Sequence, residues 1–149
     1  MATHAIKTPL DVYGPRKTLE HICSELGFSR PARQELAIVV SELCTNIVKY
    51  GVRGSLEIEK VLDATYGVGV MIVARDVGRA FHDFQMALKD GCDDRGPIDP
   101  GTLMKRGGLG IGLGAVVRLT DSIELTQEPS GKAIRVCRYV RRPPGRTSY

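Results

Sequence analysis

Six apolar residues at three- and four-residue steps, Leu36, Val39, Val40, Leu43, Ile47 and Tyr50, constrain this chain more than anything else in it. That spacing predicts one face of a single long helix. Ser29 offers an N-cap with Pro31 in the first turn, and Gly51 is a stop signal after Tyr50. At ~1.5 Å per residue such a helix is roughly 30 Å long, enough to cross a whole small sheet.

The rest of the chain supplies that sheet. Residues 4–10 can form a short strand. Residues 14–27 read as a helix, with Pro15 in the first turn, Leu19, Ile22, Cys23 and Leu26 on one face, and Gly27 at the end. Residues 56–62 and 68–74 are strand-like runs joined by a turn at 63–67. Residues 84–88 suggest a short helix. Residues 91–108 form a loop rich in glycine, proline and mixed charges, and a loop of that length in a compact domain is usually a lid or binding loop. Residues 111–119 read as a helix, and 122–127 with 133–140 as a closing hairpin around 129–131. Strand pairs joined by hairpins argue for a mixed, mostly antiparallel sheet with helices on one face, an α+β two-layer sandwich. At 149 residues the chain fits one domain, read here as 1–140 followed by a basic tail at 141–149.

Charge and composition narrow the partners. Net charge is +4, and four arginines (Arg138, Arg141, Arg142, Arg146) stand in an end segment without acids, so the remainder is near neutral. This is not a basic nucleic-acid face. Few aromatics and no Trp disfavour a base-stacking platform. The tail reads either as a solvated end or as a dock for an acidic partner. Cys23, Cys44, Cys92 and Cys137 form no C-x-x-C pair and suggest reduced thiols, hence a cytoplasmic setting. No apolar run approaches the ~20 residues that span a bilayer, and the first residues lack the pattern of a signal peptide.

Three segments carry chemistry. Glu42 and Asn46 lie one turn apart beside the apolar stripe of the long helix. A carboxylate and an amide oxygen there suit a hard cation such as Mg²⁺, or a carboxylate that takes a proton from a hydroxyl; a plain surface pair is the alternative. Asp76, Val77, Gly78, Arg79 and Ala80 follow a strand end, where ligands approach a sheet. Asp76 can accept a hydrogen bond from an exocyclic amine such as adenine's, and Gly78 lets a flat base lie on the backbone; the alternative is a simple turn. Residues 107–114 hold five glycines in eight positions and run into a helix, a phosphate cradle built from backbone N–H groups. Lys105 and Arg106 precede it, able to offset a γ-phosphate. A Walker A loop is excluded, because no Lys-Ser/Thr follows; a dinucleotide fingerprint lacks its preceding strand; a flexible hinge stays open.

In that order and spacing, the set resembles the GHKL ATPase/kinase superfamily with the Bergerat fold. Within it the chain is similar to the bacterial anti-sigma regulatory serine/threonine kinases, the RsbT-type switch kinases first and the RsbW/SpoIIAB type next. The likeness covers nearly the whole chain. Glu42, Leu43, Cys44, Thr45 and Asn46 match the family's N box, Asp76 to Ala80 its G1 box, and the 107–114 run with Arg118, Leu119, Thr120 and Asp121 its G2 box and following helix. Residues 86–91 also look like the switch-kinase type.

The resemblance implies ATP and Mg²⁺ as cofactors, with Asn46 as the metal ligand and Glu42 as general base toward a protein hydroxyl. It implies a nucleotide-binding set of Asp76, Gly78, Ala80, Arg106, Gly107, Gly108, Leu109, Gly110, Ile111 and Gly112. Asp76 would take the adenine amine, the glycine N–H groups the phosphates, and Arg106 the γ-phosphate. The implied substrate is a serine or threonine on a STAS-domain antagonist in a partner-switching, stress or sigma-factor pathway. A sigma factor or a phosphatase is a further implied partner, and a homodimer an implied assembly. Three departures stand out. The G1 box ends in Ala80, after Arg79, rather than Gly. The lid from Asp93 to Arg106 is longer than the switch-kinase lid. A Thr common on the penultimate strand is replaced near Ala133. The first and third would weaken nucleotide binding. They leave open a partner-binding module with little kinase activity, beside the less fitting branches of simple ATP hydrolysis or histidine phosphorylation.

Overall fold

The computed structural model describes residues 1–78, 84–89, 92–93, 96–97 and 113–143. The apolar stripe becomes the inner face of α2 (Arg30–Tyr50), which buries Leu36, Val39, Val40, Leu43 and Ile47. Ser29 caps it: its Oγ accepts a hydrogen bond from the Ala32 N–H at 3.3 Å, and proline stands in the first turn. Gly51 ends it in an extended conformation, its N–H donating to the Ile47 carbonyl. Ahead of α2, α1 (Tyr13–Leu26) stops at Gly27, whose φ of 88° is the left-handed conformation that glycine adopts without a Cβ penalty. The Phe28 N–H then reaches back to the Cys23 carbonyl at 3.0 Å, as such a cap requires.

Five strands make the main sheet: β1 (Ala2–Ile6), β2 (Gly54–Asp63), β3 (Gly67–Asp76), β6 (Ser122–Glu128) and β7 (Gly131–Tyr139). Their spatial order is β1-β2-β3-β7-β6, and every pairing is antiparallel. The expected α+β sandwich is therefore present, with an antiparallel rather than mixed sheet among the described residues. The two-residue strands β4 (Cys92–Asp93) and β5 (Gly96–Pro97) pair separately. Short helices α3 (Phe84–Ala87) and α4 (Gly114–Leu119) complete the set.

The first strand falls earlier than expected. Residues 9–12 form a 3-10 turn instead, because the Asp11 carboxylate accepts the Lys7 and Thr8 N–H groups and closes the chain there. The β2–β3 turn uses the same device, Asp63 accepting from the N–H groups of Thr65 and Tyr66.

Alternation along the strands decides which side chains meet the helices. Leu56, Ile58, Val70, Ile72, Ala74, Ile134 and Val136 face α1 and α2 in one core with Leu19, Cys23 and the α2 stripe. Each large aliphatic side chain so buried stabilises the fold by about 1.5–3 kcal/mol. Two cations share that inward phase on β7, Lys132 and Arg138. Arg138 pairs with Glu35 of α2 at 2.8 Å and also donates to the Leu119 carbonyl at the end of α4. Arg142 donates to Asp121 and to the carbonyls of Arg118 and Thr120. Two of the four arginines of the basic end are thus held by the domain, closing the carbonyl end of a helix, where cations belong.

Candidate functional site

Glu42 and Asn46 occupy successive turns of α2 on one side of it. Glu42 is 4% exposed, more deeply placed than a half-desolvated cleft residue, while Asn46 is half-buried. An amide oxygen beside a carboxylate is an oxygen donor set of the kind Mg²⁺ prefers, with phosphates and waters completing its shell.

The carbonyl end of α2 runs directly onto the end of β3, and glycines make the approach possible. A Cβ on Gly51 would lie 2.6 Å from the Asp76 Cβ. One on Gly78 would lie 2.3 Å from the Tyr50 carbonyl and 2.6 Å from the Gly51 Cα. Neither separation is tolerable, so only glycine permits this contact. Asn46 stands five residues before Gly51, roughly 7 Å along the helix axis. The structure therefore brings the Glu42–Asn46 helix and the Asp76–Gly78 turn to one end of the sheet.

Asp76 is the last residue of β3 and is buried. Its Oδ1 accepts two hydrogen bonds, from the Gly78 N–H at 2.9 Å and from Lys132 Nζ at 2.8 Å. The side chains of Lys132 and Asp76 are only 2% and 3% exposed. Among the described residues, both of these bonds fall on Oδ1. Lys132 is the residue that the sequence reading missed. Its signal was its phase: it precedes Ile134 and Val136 by even steps on β7, so it must share their inward face, directly opposite Asp76 in the register.

Ala133, near which a family threonine is replaced, points the other way, opposite Arg75 and Thr126. The residues that flank Asp76 on its own face are thus Lys132 and Ile134, not Ala133. Behind the Asp76–Lys132 pair, Arg75, Thr126, Ser130, Gly131 and Ala133 help line a pocket of about 170 Å³. Asp76 and Lys132 line it as well, from the inward phase, while Arg75, Thr126 and Ala133 carry the outward phase.

Ala80, Arg106, Gly107, Gly108, Leu109, Gly110, Ile111 and Gly112 lie outside the described residues. The glycine run re-enters at Leu113 and Gly114. Leu113 is buried, and its N–H donates to the Ala87 carbonyl at 3.1 Å. The helix that follows, α4, packs on α2. The far end of the run therefore lies against the helix that carries Glu42 and Asn46.

Two of the thiols, Cys23 and Cys44, are buried. Burial pushes Cys23 and Cys44 up to about 12, so both remain protonated and inert at neutral pH. Among the described residues no helix is long and apolar enough to cross a membrane.

Comparison with known proteins agrees with this geometry. Residues 7–138 match the histidine kinase-like ATPase domain family. The serine/threonine-protein kinase RsbT of Bacillus subtilis (strain 168) is 30% identical over 137 residues, 91% of this chain and 94% of that protein. The serine-protein kinase RsbW of Listeria monocytogenes is 30% identical over 129 residues, 84% of this chain and 77% of that one. In fold, the chain is similar to a chain of the SiaB–SiaC complex from Pseudomonas aeruginosa, with a TM-score of 0.58, 11% identity, and coverage of 93% of this chain and 89% of that one. The chain belongs to the histidine kinase-like ATPase domain family and, within it, to the serine/threonine protein kinases represented by RsbT and RsbW.

Proposed function

We propose that this protein is a cytoplasmic, Mg²⁺- and ATP-dependent kinase that phosphorylates a serine or threonine of a STAS-domain antagonist in a bacterial partner-switching pathway. The observation that carries the reading is the meeting of α2 and β3 at one sheet end: a buried acceptor, Asp76, on a glycine floor beside a helix bearing Glu42 and Asn46. Bound there, Mg²⁺ and ATP supply the transferable phosphoryl group and the charge that offsets its oxygens.

The chain's own residues divide the remaining work. The Asp76 carboxylate accepts the exocyclic amine of the base, and Gly51 and Gly78 allow the close packing of α2 on β3 that fixes this carboxylate. The Asn46 amide oxygen holds the hard cation. Glu42 accepts the proton of the protein hydroxyl, and its burial keeps competing water away from that carboxylate. Arg106 and the N–H groups of residues 107–112 cradle the polyphosphate. In phosphoryl transfer, positioning and charge compensation of this kind account for most of the catalysis.

Transfer of radiolabelled phosphate from ATP to a purified STAS-domain partner tests the reading. Glu42→Ala is expected to keep ATP affinity while transfer falls by about 10²–10⁴-fold, the usual contribution of a general base. Undiminished transfer by Glu42→Ala would end the base assignment. A wild-type protein that binds ATP and partner yet passes on no label would be a sequestering module, tuned by nucleotide, that holds a sigma factor or activates a phosphatase by contact.

A further inference from the structure

We propose that the pocket beside the β6–β7 turn is a binding site for a small oxyanion, a phosphate or a compact carboxylate. The strand register builds it. Arg75, Ala133 and Thr126 stand in one row across β3, β7 and β6, all on the outward phase. The middle member, Ala133, carries only a methyl group, so the row is open between a guanidinium and a hydroxyl. Ser130, in the turn between the two strands, adds a second hydroxyl, and the Asp76–Lys132 pair lines the same space. The pocket holds about 170 Å³. A cavity of about 150 Å³ takes a benzene-sized guest, so a phosphate or a small dicarboxylate fits.

The donors of the lining select such a guest. Arg75 Nε donates to Glu57 Oε1 at 3.1 Å, which ties down one edge of the guanidinium. Among the described residues, the terminal nitrogens of Arg75 and the hydroxyls of Thr126 and Ser130 make no hydrogen bond. Hydroxyls rotate to suit an acceptor, and a guanidinium fork matches an oxyanion in shape and charge. One oxyanion can therefore accept from all three side chains. The carboxylate in the lining, Asp76, is met by the Lys132 ammonium at 2.8 Å, so that pair brings no net charge against the guest. Glu57 is the competitor. It belongs to β2, on the opposite side of β3 from β7, and holds the guanidinium toward that side. None of this depends on what Asp76 binds, so the site stands or falls apart from the kinase reading.

Isothermal titration of the full chain with inorganic phosphate and, separately, with malonate, both at constant ionic strength, tests the proposal. At least one should bind with a dissociation constant of about 1 mM or tighter, and the tighter of the two names the class. Arg75→Met should weaken that binding at least about tenfold, because its charged donors are lost. Ala133→Leu should abolish it by filling the row. Glu57→Gln should tighten it about two- to fivefold, the release of an exposed ion pair. No binding of either ion by the wild type overturns the proposal. Binding that Arg75→Met leaves unchanged overturns it too, since the ion would then sit elsewhere. The Arg75 side chain is largely exposed, so this variant decides the matter even if Ala133→Leu does not fold. An unchanged constant in Glu57→Gln overturns the part given to Glu57.

Discussion

Strand β7 carries two buried cations on the same face, and they serve different ends. Lys132, at its start, meets one carboxylate that is itself buried and already tied to a backbone N–H. Arg138, near its finish, is 7% exposed and joins three elements at once: its own strand, Glu35 of α2 and the Leu119 carbonyl closing α4. Glu35 keeps 37% of its side chain in solvent. Arg138 is thus a structural staple whose partner has water as a fallback. The Lys132–Asp76 pair is withdrawn from water on both sides, an expensive arrangement in a protein interior unless the site requires it. The contrast teaches that burial of a charge does not by itself mark function. What separates the two is whether the partner has an alternative.

The largest test of that contrast is Asp76→Ala. It removes the buried carboxylate that pairs with Lys132, and breaking a buried pair in this way costs about 3–5 kcal/mol. Asp76→Ala combined with Lys132→Met should recover most of that stability while nucleotide binding stays lost. Chemical denaturation of the two single variants and the double variant measures the coupling directly. Simple additivity would mean that the pair is not the unit described here.

Arg138→Met should cost less, about 2 kcal/mol, because Glu35 can turn to water while the Leu119 carbonyl loses its donor. Nucleotide affinity should not change, since Arg138 lies six residues along β7 from Lys132. A fall in ATP affinity matching that of Asp76→Ala would erase the distinction between staple and site. The Arg138 Nε has no hydrogen-bond partner among the described residues, so this guanidinium is anchored by Nη1 alone.

How far these roles could be read in the chain depended on the kind of signal. The α2 stripe was legible because its period repeats over 21 residues and both ends carry cap residues, so local and tertiary preferences agree. Both hairpins were legible from alternation and turn residues. Asp76 was singled out by chemistry, as an acid at a strand end next to glycine. Lys132 was not, because lysine is nearly always a surface residue and only the phase of β7 places it inward. Arg138 fell within the strand expected at 133–140, but the charge density of the basic end could not say that Arg138 pairs with Glu35 or that Arg142 folds back onto Asp121. The contact between Gly51 and Asp76 was invisible for another reason: no local pattern reports the close approach of segments 25 residues apart. The glycine run was the reverse case. Their chemistry was plain in the sequence, although residues 107–112 lie outside the described structure.

The smallest expected effect sharpens the comparison at its surface limit. Arg142 makes the same kind of contact as Arg138, donating to Asp121 and to two carbonyls at the end of α4, but its side chain is 38% exposed. The Asp121 side chain is buried, but its other oxygen keeps the Tyr139 N–H as donor, the arginine is open to solvent, and the orphan carbonyls of a short helix can take water instead, so the pair is worth about 0–1 kcal/mol. Arg142→Ala should therefore lower stability by under about 1 kcal/mol, and high salt should shrink even that difference. A loss as large as that of Arg138→Met would show that the chain beyond β7 is integral to the domain. A null result would leave Arg142, with its exposed neighbour Arg141, to contacts outside the fold. Either way, the gradient from Lys132 through Arg138 to Arg142 should follow how far each cation itself is withdrawn from water, at 2%, 7% and 38% side-chain exposure.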